Sequence, residues 1–291
     1  MFTALLSRQL SSAQKRALKS SYYKLKARVI HLVASYTPAQ LEAKFRALGV
    51  ARGDAVLMHS SFSQFNGFQG DPGQVIDCLL NVLGPQGHLF MMSMAYTSSS
   101  YDYLMVGKPF NVTTTVSRMG IITEVFRRRK HVLRSSNPLH PVLAFGPQAP
   151  SIVAGHDQLL YSCGPGSPFE KMLELDAKVL LFNVGFEYAT FIHYLEDRFK
   201  ESAPVPVYHP NPLEAVIIDE EGQKKSVKAY VFDREAIRRR HFSLLKGALI
   251  QGGFLRQGKI GNTKLMIIRT NGMLNCAKRL VDQGRHFFYR D

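Results

Sequence analysis

Three short runs constrain this chain more than any other feature: Ala55-Val56-Leu57-Met58, Leu89-Phe90-Met91-Met92 and Val179-Leu180-Leu181-Phe182. Each is continuously apolar rather than alternating, which predicts a strand covered on both faces, as inside an α/β sheet. Each is entered through a turn or a polar residue. Gly53-Asp54 precedes the first run, Gly84-Pro85-Gln86-Gly87 leads to His88 and the second, and Asp176-Ala177-Lys178 leads to the third. The first exits into His59-Ser60-Ser61 and the third into Asn183 and Gly185. In open α/β sheets such carboxyl ends are where ligands bind.

The connections agree with that reading. Asp71-Pro72-Gly73-Gln74 offers an N-cap and a proline at the first helical position, so a helix runs from there to Leu83. A strand, a helix and a second strand this close together predict a parallel pair joined by a right-handed crossover. Thr37-Pro38 starts a helix to Leu48, and Ser167-Pro168 starts another. A helix covers 121–127, and the X-Pro-rich loop 132–141 is barred from helix before a short strand at 142–146. The polar, aromatic stretch 96–115 is too long for a simple connection and is expected to be a flap or an acceptor-binding insertion. Beyond Glu201 the chain shifts to a hairpin-like pair at 213–219 and 226–232, a helix over 234–250, a strand or hairpin at 258–270 and a terminal helix at 272–283. The expected architecture is one α/β domain, residues 37–291, with a mixed, largely parallel central sheet flanked by helices and β-rich C-terminal additions. A basic extension, 1–36, precedes it.

Composition narrows the function classes. The formal charge of +15 implies attraction to anions, whether nucleic acid, an acidic membrane or phosphorylated small molecules. Basic residues are scattered rather than interleaved with aromatics, so no nucleic-acid partner is expected. Arg127-Arg128-Arg129-Lys130 and Arg238-Arg239-Arg240 read as solvated helix ends. Residues 1–36 hold seven Lys or Arg and no acid. Leu6, Leu10, Ala13 and Ala17, then Leu18, Tyr22, Leu25, Val29 and Leu32, fall at helical spacing. Such a basic amphipathic helix suits peripheral contact with an anionic membrane, packing on a partner subunit, or organelle targeting. No run reaches the eighteen or so apolar residues of a membrane span. Cys78, Cys163 and Cys276 are odd in number and far apart, which argues against a disulfide framework or zinc site and for a reducing, cytoplasmic setting. No metal is expected, and the pattern leaves the oligomeric state open.

Chemistry concentrates after the third run. In Ala189-Thr190-Phe191-Ile192-His193-Tyr194-Leu195-Glu196 a hydroxyl, an imidazole and a carboxylate recur every three residues, which on a helix places them on one face. His193 is the side chain there that exchanges a proton near neutral pH, and Glu196 is spaced to orient it. The same spacing is also common on solvated helix faces. Likewise, the Ser60-Ser61 loop offers amides and hydroxyls to a phosphate or carbonyl, or is an ordinary turn.

In order along the chain, a set of short motifs resembles the aminoglycoside 3-N-acetyltransferase family of acetyl-coenzyme A-dependent enzymes. They are Gly53-Asp54 with Leu57-Met58-His59-Ser60-Ser61, Leu83-Gly84-Pro85-Gln86-Gly87, Met119-Gly120 with Thr123-Glu124, Arg134-Ser135 with Pro138, His156, Gly166-Ser167-Pro168, Thr190 with His193-Tyr194 and Glu196, and Gly258 with Gly261. The resemblance runs from about Leu41 to the C-terminus. It implies a single α/β domain of its own topology and direct transfer of an acetyl group, without an acyl-enzyme, to the amino group of an amino sugar or aminoglycoside-like acceptor. His193 falls on the general-base position and Thr190 near the thioester. His59, Ser60, Ser61, Arg134, Ser135 and Ser167 fall on the coenzyme side. The family's carboxylate partner for the base is expected further downstream, which makes Asp233 a second candidate beside Glu196. The chain departs from the family pattern at Asn137 and Pro141, where His and Ser are common, and at His88 and Asn183, where Thr and Gly are. Two other readings stay open from sequence: a homologue that binds the coenzyme without turnover, and a basic surface-binding protein. The high positive charge favours an acceptor less cationic than an aminoglycoside, such as a nucleotide-linked amino sugar.

Overall fold

The structure is a computed structural model that describes residues 11–62, 67–286 and 289. Helix α1 spans Ser12–Val33 and begins at a capping box between Ser11 and Gln14. Of the apolar positions expected in this extension, Leu6 and Leu10 lie outside the described residues, as do the side chains of Ala13, Ala17 and Leu18. Helix α2 (Pro38–Ala47) is capped in the same way by Thr37 and Gln40, with its proline in the first turn.

The first two buried runs form β1 (Ala55–Ser60) and β2 (His88–Met92), joined by α3 (Pro72–Leu83) behind its Asp71 cap. The flap carries α4 (Ser100–Met105) and β3 (Phe110–Asn111). After α5 (Ile121–Arg127) come β4 (Leu133–Arg134), β5 (Val142–Phe145), α6 (Ala149–Val153) and α7 (Pro168–Glu174). The third run is β6 (Lys178–Phe182), followed by α8 (Ile192–Arg198). The hairpin β7 (Leu213–Ile218) and β8 (Lys224–Ala229) joins β3 in a separate three-stranded sheet. Then come α9 (Arg234–Arg239), α10 (Ser243–Gln251), β9 (Leu255–Ile260), β10 (Thr263–Arg269) and α11 (Thr270–Asp282).

The main sheet has the order β4-β5-β2-β1-β6-β10-β9. It is mixed and flanked by helices, as expected, but the parallel part is confined to the three buried strands β2, β1 and β6. The pairs β4–β5, β5–β2, β6–β10 and β10–β9 are antiparallel, so "largely parallel" overstated the extent. The reason is local: β9 and β10 are linked by a tight turn at Gly261, which only antiparallel strands can use.

Burial on both faces follows the period of two. Leu57, Phe90, Val179 and Leu181 point into one core with Phe169, Met172, Leu195, Leu245 and Met273 from α7, α8, α10 and α11. Val56, Met58, Leu89, Met91, Leu180 and Phe182 point into the other, against Phe45, Leu79, Ile122 and Phe126 from α2, α3 and α5. The sheet is thus sandwiched, and its central carboxyl ends are left to line a cleft. The predicted helix over 234–250 is broken into α9 and α10 around Arg240-His241-Phe242, a break with consequences for the site.

Candidate active site

The cleft encloses about 790 Å³ over the ends of β1 and β6. Ser60, Ser61, Asn183, Val184 and Gly185 form one wall, the flap residues 96–100 another, and His140, His193, Phe232 and Arg240 close the far side. A smaller lobe of about 180 Å³ adjoins it, sharing Ser60, Met94, Met119, Val184 and Tyr188, and reaches His59 and Thr190.

Asn183 turns the chain out of β6 with φ of 56°, a left-handed conformation that asparagine tolerates better than most residues. That explains how Asn stands where glycine is common. A short 3-10 turn at Phe186–Tyr188 follows, so α8 begins only at Ile192. Thr190 therefore precedes the helix instead of sharing its face with His193 and Glu196. Its carbonyl accepts from the His193 amide, and its hydroxyl lies 3.4 Å from His59 Nε2.

His193 and Glu196 meet as their spacing suggested, with Nδ1 and Oε2 2.5 Å apart. Glu196 is fully buried, and Arg240 grips its carboxylate in a two-pronged pair at 2.7 and 2.9 Å. Burial alone would push Glu196 up, but Arg240 and then His193 outweigh it and hold the carboxyl below its usual range. An ionised Glu196 accepts a hydrogen bond from Nδ1–H, which fixes the tautomer and leaves Nε2 with a free lone pair. The ring lies against Phe232, whose centroid is 4.8 Å away, and near His140 at 5.7 Å. Burial, then the Arg240 charge, lower the His193 pKa, and Glu196 offsets part of the shift. The imidazole is therefore neutral at physiological pH, the state in which it accepts a proton.

Two neighbouring histidines are also kept neutral. Burial takes His59 down to about 3, with the proximity of His193 adding to it. It takes His140 well below its ordinary value, while His140 Nδ1 sits 2.6 Å from the Ser162 hydroxyl.

Several expected site residues lie elsewhere. Asp233 caps α9, accepting from the Glu235 amide at 2.7 Å, so the carboxylate at His193 is Glu196. Arg134 is buried, and its guanidinium donates to the carbonyls of Thr115, Ser93 and Val112, which pins the flap to the sheet edge. Ser135 accepts from the Val142 amide and lies 2.8 Å from His156 Nδ1. Ser167 is fully buried at the start of α7. None of Arg134, Ser135 or Ser167 reaches the cleft wall: the first two are turned inward to hold loops, and the Ser167 hydroxyl is buried without capping α7. Cys163 is buried too, which pushes its thiol well up and leaves it inert.

Arg240, Phe232 and His140 are among the cleft residues that the sequence reading missed. Arg240 belongs to the triplet read as a solvated helix end, yet the break after α9 turns it inward while Arg238 and Arg239 pair with Glu235 on the surface. No spacing rule marks which arginine of a triplet a helix break will bury.

The family model for aminoglycoside 3-N-acetyltransferase matches residues 57–282. The chain belongs to the aminoglycoside 3-N-acetyltransferase family. Curated relatives include aminoglycoside N(3)-acetyltransferase III of Pseudomonas aeruginosa, 29% identical over 61% of this chain and 70% of the relative. Aminoglycoside N(3)-acetyltransferase IV of a Salmonella species is 34% identical over 58% of this chain and 61% of its own length. The solved apoenzyme of aminoglycoside acetyltransferase AAC(3)-IVa matches with a TM-score of 0.67 at 28% identity, covering 84% of this chain and 88% of that one. AAC(3)-Xa, with a TM-score of 0.75 at 22% identity over 93% and 99% of the two chains, shares the fold. The expected family, fold class and N-acetyltransferase type therefore stand.

Proposed function

We propose that the chain transfers an acetyl group from acetyl-coenzyme A to the primary amine of an amino sugar, with His193 as general base. The observation that carries this reading is the chain of contacts Arg240 to Glu196 to His193, ending on the wall of a cleft beside the Ser60-Ser61 loop. An amine attacks a carbonyl only when its nitrogen lone pair is free, so the nucleophile has to shed a proton as the bond forms. His193 Nε2 takes that proton. The imidazolium that results is stabilised by Glu196, and Arg240 keeps the carboxylate ionised in its buried position. The coenzyme supplies the acetyl group as a thioester, and the departing thiolate takes up a proton.

The cleft fits such a donor in size and in the character of its walls. Its volume lies within the range of small-molecule and cofactor sites. The hydroxyls of Ser60 and Ser61 and the backbone of Gly185 suit phosphate and carbonyl oxygens, and Thr190 with His59 lies in the adjoining lobe.

The acceptor is read from charge. The titratable side chains lining the main cleft are Arg118, Arg240, His140, His193, Tyr96 and Tyr188, with no carboxylate among the described residues that form its walls. Asp102 pairs with Arg234, Asp197 with Tyr208 and Lys200, and Asp233 caps a helix, while Glu187 lines only the smaller lobe. The AAC(3)-IVa relative has been solved in complex with a gentamicin, a polycation that would meet here a wall of neutral and basic groups. A neutral or phosphorylated amino sugar is the better electrostatic match.

The deciding experiment is thiol release from acetyl-coenzyme A against an amine panel that includes gentamicin, simple amino sugars and nucleotide-linked amino sugars. Release with an amino sugar, abolished in His193→Ala, is the expected result. Turnover that is undiminished in His193→Ala would overturn the assignment of the base, and preference for gentamicin would overturn the acceptor class.

A further inference from the structure

Helix α1 presents an apolar stripe that the domain does not cover. Tyr22, Leu25, Val29, Leu32 and Val33 are 59, 62, 47, 83 and 77% exposed. At about 100° per residue these five positions fall within an arc of roughly 100° on one side of the helix. Among the described residues, large apolar side chains are exposed elsewhere singly or in pairs, whereas here five share one side of a helix. Lys26 and Arg28, both exposed, fall just outside the two borders of the stripe. Tyr22 stands at its N-terminal end, in ring contact with Tyr23.

The charge says what kind of surface covers this stripe. Residues 1–36 hold seven Lys or Arg and no acid. A second copy of the helix would bring that charge against itself, whereas an anionic lipid surface answers it. Apolar side chains on one side with basic ones at the borders is also the arrangement in which a helix lies flat, its stripe among the acyl chains and its cations at the headgroups.

The helix is held where such contact is workable. Immediately after it, the Tyr36 hydroxyl bonds Thr263 at 2.7 Å, and the Ala34 carbonyl is packed so tightly against Gly67 and Gly261 that a methyl group on either would collide with it. Because β10 runs antiparallel to β6, Thr263 lies at the carboxyl end of β6, the edge on which the cleft opens. The helix thus leaves the domain from the catalytic edge.

We propose that α1 is a peripheral anchor that seats the protein on anionic phospholipid membranes. Flotation of the full chain with vesicles of phosphatidylglycerol and phosphatidylcholine, against pure phosphatidylcholine, tests it. The chain should float with the anionic vesicles and about tenfold less with the neutral ones, and high salt should weaken the binding. Leu25→Glu/Leu32→Glu should abolish flotation, and Lys26→Glu/Arg28→Glu should reduce it, with thiol release from acetyl-coenzyme A in the presence of a soluble acceptor unchanged in both. Absence of flotation by the wild type, or flotation unaffected by Leu25→Glu/Leu32→Glu, would overturn the proposal. So would a helix-mediated dimer, seen by analytical ultracentrifugation to dissociate on the same double substitution, that ignores vesicles. The vesicle readout does not depend on turnover, so failure of the catalytic reading leaves it standing or falling by itself.

Discussion

His193 is set between two opposing charges, and each can be removed separately. Burial and Arg240 press its pKa down while Glu196 lifts it. In the proposed role as general base His193 acts in its neutral form, so kcat/KM should rise with pH and level off at a midpoint below the ordinary histidine value of about 6.5. Glu196→Gln removes the lifting charge and leaves Arg240, so the midpoint should move lower still, while kcat falls because the tautomer is no longer enforced. Arg240→Met does the reverse. It leaves a buried carboxylate against the ring, which should raise the midpoint, and stability should drop by about 3 to 5 kcal/mol because a buried charge has lost its partner. A pH–rate profile and a urea melt of both variants check this; shifts in the same direction would refute the arrangement. Removing the proposed base, in His193→Ala, should cost about 10² to 10⁴ in kcat.

Elements decide how such residues come to be placed, and here one loop matters more than its sequence suggests. Asn137 accepts from the amides of Leu139 and His140 and donates to the His156 carbonyl, and so bends the Pro-rich segment that presents His140 to the cleft. The departure from the family's histidine at this position is thus occupied by a fully satisfied turn former. Asn137→Ala would strand three buried backbone groups, costing about 2 to 3 kcal/mol, with a higher KM for the acceptor as the cleft wall loosens. Chemical denaturation and steady-state kinetics would show it. The capped helices and the three buried strands were legible because caps, turns and continuous apolar runs are local signals. His193 and Glu196 were legible for the same reason, lying one helical turn apart. Arg240 was not, since 44 residues separate it from Glu196 and its direction depends on where the helix over 234–250 breaks. Arg134 and Ser135 are expected on the coenzyme side from a motif match, and only the tertiary structure shows their side chains bonded to the flap and to His156 instead.

At the scale of the whole molecule, charge ties the fold to its working conditions. Burial lowers His59 to about 3 and His156 to about 4, and takes His140 well down. For a depressed histidine the unfolded chain binds the proton that the native one refuses. Stability is therefore complete above about pH 6.5 and lost as pH falls from there toward 4. His156 is held at both nitrogens, by Ser135 and the Ser162 carbonyl, and His156→Gln should flatten that slope by about 1 kcal/mol per pH unit in melts between pH 6 and 5. The net charge of +15 and a main cleft without carboxylates among its described residues make a second test, because they act with opposite sign on an anionic donor and a cationic acceptor. A polyanionic donor is drawn toward such a surface and a polycationic acceptor is repelled. Raising ionic strength from low salt to about 0.15 M shortens the screening length to about 8 Å and removes most of both effects. The expected result is that kcat/KM falls for acetyl-coenzyme A, falls for a phosphorylated amino sugar and rises for gentamicin. An acceptor whose kcat/KM is indifferent to salt would have to be neutral, and a fall with salt for gentamicin would mean that carboxylates outside the main cleft gather around its bound position.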